Sequence, residues 1–392
     1  MSDHDNNQDD LKDWEPLLTL PAARVRRRGR HIVVDLLQPH DAITTSVRTG
    51  GFATHLRHLV NHQSCEGAGH DTRFFLIKEQ GQEAYHDFVC SEVNLPPEMT
   101  ATMSTAANMN YAAVSVKQDG DVTVAAIVTA GVQTNATCAG DPSHWRETRD
   151  GIVKVPAVAG TINTMLLISE PVAPAALARV VVTMTEGKSA ALQRLAVPSC
   201  QSSDLATGTG TDQFCLAAPR DESKRPLTSA SPHMKFGEIV GLAVREATME
   251  ALRWQNGLEP SYTRGLFHAL GRYGLREATI FDELQDALSA EDLDLLRRNA
   301  KSVFFEPLVG AAAHALATVL DRVRHGTLPE SVARDAIVQQ AATLAASLAA
   351  KPDRWAGFRA RLMRGDTQQL VQQMPKPLIL AALALGWSEK WR

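Results

Sequence analysis

The run Tyr111–Gly131, YAAVSVKQDGDVTVAAIVTAG, decides the fold. Val114 and Val116 alternate with polar neighbours, QDGD supplies a tight turn, and Val122–Val128 is apolar except for Thr123 and reads as a buried strand. Alternation on one side of a glycine turn and a largely apolar stretch on the other describe a β-hairpin with one deeply buried strand. That strand ends at Thr129, Ala130 and Gly131, where polar TNATCAGDP begins. Polar loops at strand ends are where layered α/β folds put binding and catalytic groups. The same grammar recurs twice downstream. GTINTMLLI predicts a strand over Thr161–Ser169, and ATGTGTD leads into a third strand over Phe214–Ala218. Between them Pro171 and Pro174 open a helix with Leu177, Val181, Met184, Ala191, Leu192 and Leu195 on one face.

Outward from this centre the pattern changes in both directions. HMKFGEIVGLAVREATMEALRWQNG, starting at His233, is strongly amphipathic, with Phe236, Ile239, Val240, Ala243, Ala247 and Leu252 on its buried side. The charged, proline-bearing APRDESKRPLTSASP before it reads as a loop. After Gly257 the chain is alanine- and leucine-rich, with glycine or proline between runs. That is the signature of a helical bundle, one that packs on the core or mediates self-association. Upstream, five arginines precede a short β run over Ile32–Leu37, most simply a solvated strand end. Residues 1–22 read as a flexible polar tail with a short turn of helix in LKDWEPLL. Residues 74–93 show no clear period.

FATHLRHLVNHQ, after the glycine pair at 50–51, has Phe52, Leu56, Leu59 and Val60 at helical spacing, so a helix and then a glycine-rich loop are expected. On such a helix His58 and His62 would stand one turn apart, with His55, Cys65 and His70 close by. One metal ion could bridge that pair. The glutamate of HExxH is missing, however, since Leu59 follows His58. The expected architecture is α+β: a flexible tail over 1–22, a layered α/β core with a mixed sheet over 23–258, then an all-α helical region over 259–392.

With 392 residues, 44% hydrophobic and 21% charged, the composition is globular and leaves room for a core domain plus an extension. A net charge of -4 gives no reason to expect nucleic acid or an anionic membrane as partner. The acidic start MSDHDNNQDD lacks signal character, and no apolar run reaches transmembrane length. Cys65, Cys90, Cys138, Cys200 and Cys215 form no CxxC pair. A cytoplasmic protein with reduced thiols is expected, with neither nucleic-acid nor membrane partners.

The central segments concentrate the chemistry. Acid–base or nucleophilic chemistry at such a site needs a proton handler, an activated nucleophile and groups that stabilise developing charge. Asp212, Glu186 and His233 are candidate proton handlers, and Lys188 or Lys235 could stabilise negative charge. Thr209 or Thr211 could supply a hydroxyl nucleophile beside a base. Asn135, Asn163 and the turn amides near Gly208 suit an oxyanion or substrate amides. Glu186 and Lys188 lie two residues apart, so a regular helix points them in different directions. Each residue also has a structural reading: Asp212 can close its own turn, Asn163 can satisfy a strand end, and His233 can cap a helix. What distinguishes the group is its density at the ends of apolar runs. GTGT is not a P-loop, and no GxSxG elbow, papain-type cysteine context or zincin motif occurs.

Read together, the segments resemble the adenosylcobinamide amidohydrolase family. TAGVQTNATCAGDP is similar to that family's TAGV-x-NA-x-x-AGDP element through Thr129, Gly131, Asn135 and Gly140. GTINT corresponds through Gly160, Thr161 and Asn163. TMTEGKSAALQRLAVPS looks like the TEAK-x-AAL segment with Gly187 in place of alanine, a change expected to loosen the helix while leaving Glu186 and Lys188 in place. ATGTGTD agrees from Thr207 to Asp212. HMKFGEIVG resembles H-x-KLGE-[LI]-G through His233, Lys235, Gly237, Glu238 and Gly241. The glycine pair at 50–51 and NHQSCEGAGHD, which contains His62, are similar to bacterial members. The likeness runs from about Arg30 to Gly274.

The resemblance implies hydrolysis of the amide joining aminopropanol to the corrin side chain of adenosylcobinamide, giving adenosylcobyric acid. That is a step of cobalamin biosynthesis by corrinoid salvage, or of cobamide remodelling. No cofactor is implied, since the cobalt-containing corrinoid is the substrate. On this footing catalytic roles fall to Asp212, Glu186, Lys188, Thr209, Thr211 and His233. Substrate contacts fall to Asn135, Gly160, Thr161, Asn163, Thr207, Gly208, His62 and Lys235. Self-association would run through the C-terminal helices. Two rivals stand beside this: a metal-dependent amidohydrolase using His58 and His62, and a corrinoid carrier or regulator without catalysis.

Overall fold

A computed structural model describes residues 14–65, 72–143, 145–149, 151–154, 160–364 and 375–391. Most strands fall into two sheets. The first has the order β1 (Glu15–Leu20), β2 (Ala23–Arg28), β3 (His31–Leu36), β6 (His58–Gln63), β7 (Thr100–Thr105). It is antiparallel except for the parallel β6–β7 pair. The second has the order β5 (Gly51–Ala53), β4 (His40–Thr44), β15 (Gln213–Pro219), β13 (Ile162–Ile168), β9 (Val122–Ala130), β8 (Ala113–Asp119). Here only β13 and β15 run parallel. Two short ribbons pair β10 (Ala136–Thr137) with β14 (Gly208–Thr209) and β11 (Trp145–Thr148) with β12 (Gly151–Lys154).

Three helices complete four layers: α1 (Thr72–Glu92), α2 (Pro174–Arg194) and α3 (Lys235–Asn256). Helices α2 and α3 cover one face of the second sheet, setting Val180, Ile239 and Val240 against Leu166 and Leu216. Its other face meets the first sheet, where Ile127, Met165 and Cys215 pack on Val34, Leu59 and Met103. On the far side α1 brings Tyr85, Val89 and Val93 onto Val33 and Val60. Strands covered on both faces have no polar side to show, which is why Val124–Val128 reads as one apolar run. Full burial of each large apolar side chain contributes about 1.5–3 kcal/mol, which favours this stacking over exposing either sheet.

The hairpin β8–β9 forms as the sequence predicts, but the phase of β8 differs. Ala113 and Ser115 face inward, and Val114 and Val116 on this edge strand are exposed. The strands at Thr161–Ser169 and Phe214–Ala218 are β13 and β15, and the two amphipathic helices are α2 and α3. Gly187 does not loosen α2, which runs unbroken from Pro174 to Arg194. A Cβ there would lie 2.8 Å from the Gly241 carbonyl oxygen, so the glycine lets α2 and α3 approach backbone to backbone.

Two expectations near the amino terminus are overturned. LKDWEPLL is not helical where it is described, because Glu15–Leu20 pairs with β2, with an irregular register between Pro16 and Leu18. Arg26 and Arg28 of β2 lie over the Trp14 ring, so part of the basic cluster is packed rather than merely solvated. FATHLRHLVNHQ is not a helix either; it forms β5 and β6. Because β6 lies between α1 and the second sheet, Leu59 and Val60 are both buried, and the resulting run mimics helical spacing. Residues 74–93, without a clear period, belong to α1, which breaks at Gly81 (φ 84°).

By contact the chain divides into two compact units, one of Met1–Gln201 and Leu205–Leu258, the other of Ser202–Asp204 and Glu259–Arg392. The second unit is helical, with α4 (Pro307–Arg324), α5 (Glu330–Ala349), α6 (Trp355–Met363) and α7 (Lys376–Glu389) after shorter helical turns. Phe304, Phe358 and Trp387 lie in its core among alanines and leucines. Inside it Arg272 and the Tyr273 hydroxyl both bond Asp321; burial raises that carboxyl, but the two bonds outweigh it and leave the pKa below the ordinary value. Among the described residues no helix is long and apolar enough to cross a membrane. All five cysteines are free thiols, and burial pushes the Cys215 thiol up to about 12.

Candidate active site

Parallel neighbours start at the same edge of a sheet, so the residues leading into β13 and β15 are placed side by side. Asn163 pairs with Gln213 in register, which sets Thr161 and Ile162 against Thr211 and Asp212. The turn Thr209–Asp212 closes on the Asp212 carboxylate. Its Oδ1 accepts from Thr209 N (3.1 Å), Thr209 Oγ1 (2.5 Å) and Ile162 N (3.1 Å). Its Oδ2 accepts from Thr209 N (3.2 Å) and from the ammonium of Lys188. Lys188 reaches in from α2, and the two side chains are only 15% and 20% exposed, so the pair is shielded from water. Gly208 is required beside it. A Cβ there would stand 2.4 Å from Asp212 Oδ2 and 2.7 Å from Lys188 Nζ, driving a wedge into the pair.

The surrounding loops are fastened by their own polar groups. Asn135 Nδ2 and Thr211 Oγ1 both donate to the Gly160 carbonyl, at 2.8 and 2.7 Å. Thr161 Oγ1 donates to the Thr211 carbonyl at 2.6 Å, and Gly210 N to the Asn135 carbonyl at 3.2 Å. Thr207 ties this group to α2, since its carbonyl accepts from Ser189 Oγ at 3.0 Å. Beside Asp212 opens a cleft of about 210 Å³, walled by Lys188, Met184, Thr185, Thr164, Phe214 and Thr45. It lies at the amino ends of the parallel pair, where open α/β sheets more often use the carboxyl ends.

The structure thus gathers Asp212, Lys188, Thr209, Thr211, Gly208, Thr207, Asn135, Gly160 and Thr161, and separates others from them. Glu186 is exposed on α2, as the divergence of neighbours on a regular helix requires. His233 is exposed ahead of α3, and Lys235 pairs with Glu238 at 2.8 Å instead of turning toward Asp212. His62 cannot touch substrate: it is wholly buried in the first sheet, with Nε2 2.7 Å from the Tyr85 hydroxyl. Nor can His58 and His62 share a metal ion. On a strand, positions four apart stand about 13 Å from each other, and His58 is bonded to Asp35 at 2.9 Å. Burial raises the Asp35 carboxyl, but hydrogen bonds from His58 and Arg26 outweigh it and hold the pKa below the ordinary value. Among the described residues no cluster of three or more His, Cys, Asp or Glu could hold a metal ion, and His70 lies outside them.

Asn163 is also wholly buried, so it braces the site rather than meeting substrate. Its Nδ2 donates to Asn61 Oδ1 (2.8 Å) and the Ser104 carbonyl (3.1 Å), while Asn61 Nδ2 donates to Thr129 Oγ1 (2.8 Å). Ser104 N in turn donates to Gln213 Oε1 at 2.8 Å. This amide bridge joins the two sheets directly behind Thr161 and Asp212. Sequence reasoning missed Asn61, Ser104 and Gln213; the one available signal was an asparagine inside the apolar run HLVNHQ.

In class, this is an α/β/β/α protein with a small cleft lined by a paired carboxylate and ammonium, the carboxylate also accepting from the buried Thr209 hydroxyl behind it. The chain belongs to the adenosylcobinamide amidohydrolase family (CbiZ), whose family model matches residues 18–260. That span begins upstream of Arg30, stops short of Gly274, and covers every residue of the cleft. An uncharacterized protein of Methanocaldococcus jannaschii is 29% identical over 194 residues, 47% of this chain and 75% of its own. Two solved structures align at low identity. The PH0078 protein of Pyrococcus horikoshii is 12% identical, covers 61% of this chain and 83% of its own, and has a TM-score of 0.29. A Burkholderia sp. beta-aminopeptidase is 14% identical, covers 60% and 80%, and has a TM-score of 0.28. Likenesses at these TM-scores transfer nothing to this chain.

Proposed function

We propose that the chain hydrolyses the amide between aminopropanol and the corrin side chain of adenosylcobinamide, giving adenosylcobyric acid in cytoplasmic corrinoid salvage or remodelling. Family membership supports the reaction type. The observation that carries the reading at the level of residues is the series Thr209–Asp212–Lys188 beside the cleft. A hydroxyl 2.5 Å from a carboxylate has its base in place. Asp212 takes the Thr209 proton as the oxygen attacks the amide carbon. The C–N bond then breaks, and the proton passes to the departing amine. Water hydrolyses the resulting ester, releasing the acid and restoring Thr209. Lys188 pairs with Asp212 in its shielded position and offers positive charge to the oxyanion. The chemistry needs only water, and cobalt enters as part of the substrate.

The test is to incubate purified protein with adenosylcobinamide, with and without chelator, and to look for adenosylcobyric acid by mass spectrometry. Product in both tubes is expected. Activity lost in chelator and restored by added metal would overturn the metal-free route. Stoichiometric binding of cobinamide without product would make the chain a carrier or regulator.

A further inference from the structure

The cleft is small for the substrate proposed. At about 210 Å³ it falls below the 300–1,000 Å³ typical of sites that enclose a drug-sized ligand. It can take a linear amide arm but not a corrin ring. A ring held outside needs a surface that begins at the cleft mouth, is apolar in its middle and offers polar groups at its edge.

The β15–β4–β5 side of the second sheet has that character, and strand alternation shows which face it is on. Ala42 and Ala53 pair across β4 and β5 and are buried between the two sheets. Their neighbours Ile43 and Phe52, also paired, therefore point to the opposite face, the one that carries the cleft. Leu216, the partner of Ile43 on β15, lies in the core beneath α2 and α3, which fixes the same side independently. Ile43 and Phe214 pack at the margin of that core, and Phe214 is also a wall of the cleft. Beyond them the cover stops, leaving Phe52 55% exposed on a three-residue edge strand. From Phe214 to Phe52 is two strands across and one two-residue step along, about 12 Å by strand geometry. Thr45 stands at this mouth, its hydroxyl accepting from Phe214 N at 2.9 Å, with Thr185 and Gln213 nearby in the wall.

We propose that Phe214, Ile43 and Phe52 form a shelf for the flat apolar face of the macrocycle, with only the amide arm entering the cleft toward Asp212. The proposal rests on the amidohydrolase reading. It makes Phe52 a specificity residue that never meets the reacting atoms. Thr45 and Thr185 supply hydroxyl groups to the amide rim of the ring, whereas Gln213 turns to the other face, where it holds Ser104 N.

The experiment measures kcat and KM for adenosylcobinamide in Phe52→Ala and Phe52→Tyr, with binding of adenosylcobyric acid by equilibrium dialysis. Phe52→Ala should raise KM about tenfold, the loss expected for part of one phenyl ring's burial, with kcat within twofold. Adenosylcobyric acid, which keeps the ring but lacks the aminopropanol, should lose affinity by a similar factor. Phe52→Tyr should restore both. Val116→Ala, on the exposed edge strand at the other side of the same sheet, should change neither. If wild-type protein makes product and Phe52→Ala leaves KM unchanged, the shelf is wrong and the amidohydrolase reading stands. If Phe52→Ala instead alters the sedimentation of the protein with KM unchanged, Phe52 is a contact between copies and the shelf is equally overturned. No product from wild-type protein removes the reading itself, and the shelf with it.

Discussion

Strand β15 has a cleft at each end, and the two are built in opposite ways. At Gln213 the cleft measures about 210 Å³, and the Asp212 carboxylate beside it accepts bonds from two backbone amides, a hydroxyl and an ammonium. At Pro219 the cleft is about 660 Å³, bordered by Asp41, Arg220, Asp221 and Lys224. Its charges pair outward: Lys224 meets Glu170 at 3.0 Å with half of its side chain exposed, and Arg220 meets Asp41 at 3.2 Å while 53% exposed. Glu170 and Asp41 are as shielded as Asp212, but their cations are half-exposed, so water screens each pair from the cation side. The smaller end is preorganised and the larger is merely charged. Convergence of partners on one shielded group is thus a stronger argument for a reactive site than room and charge alone.

The strongest way to break the comparison is Asp212→Asn. The shape survives, the charge on the base does not, and Thr209 loses its proton acceptor. Turnover of adenosylcobinamide should fall by about 10²–10⁴-fold, the usual weight of a general base. Because Lys188 loses its shielded partner, the melting temperature should also fall, and activity is compared at a temperature where circular dichroism shows the variant folded. Full activity would mean that the convergence at this end is only structural. Next in size is Asn61→Leu, which takes from the buried Thr129 hydroxyl its asparagine donor and from Asn163 Nδ2 one of its two acceptors. An abandoned buried polar group costs about 1–3 kcal/mol, enough to lower the melting temperature by several degrees in a domain of this size. Thermal unfolding followed by circular dichroism reads it directly. No change in melting would show that the inter-sheet bridge does not brace the site.

How far this end of the sheet was legible depended on cover. Strands β9, β13 and β15 announced themselves through apolar runs ending in polar turns, and α2 and α3 through clean amphipathic faces. The Thr207–Asp212 turn was legible through its resemblance to the family's element, since Gly-Thr turns by themselves are common strand connectors. The first sheet was not. Strand β6 lies between α1 and the second sheet, so Leu59 and Val60 are both buried and their spacing imitates a helix. From that error followed the imagined pairing of His58 with His62, and the failure to see Asn61. His233 and Lys235 mislead for another reason. Their segment matches the family pattern, yet what the fold requires there is Gly237, where a Cβ would meet the Ser231 carbonyl oxygen at 2.0 Å. The glycine lets the preceding loop close on the first turn of α3, while the flanking side chains face water.

The smallest expected effect is also the sharpest control on the comparison. Arg220→Ala and Lys224→Ala strip two cations from the larger cleft while leaving β15 itself intact. Both side chains are half-exposed, and hydrogen bonding to Glu170 raises the pKa of Lys224 without burying it. Neither substitution touches the Thr209–Asp212–Lys188 series at the opposite end of the strand. Steady-state kcat/KM for adenosylcobinamide should therefore stay within twofold of wild type in both variants. A tenfold loss in either would show that the corrinoid, or an arm of it, reaches the wide end. The larger opening would then have to be counted as part of the working site despite its poor preorganisation.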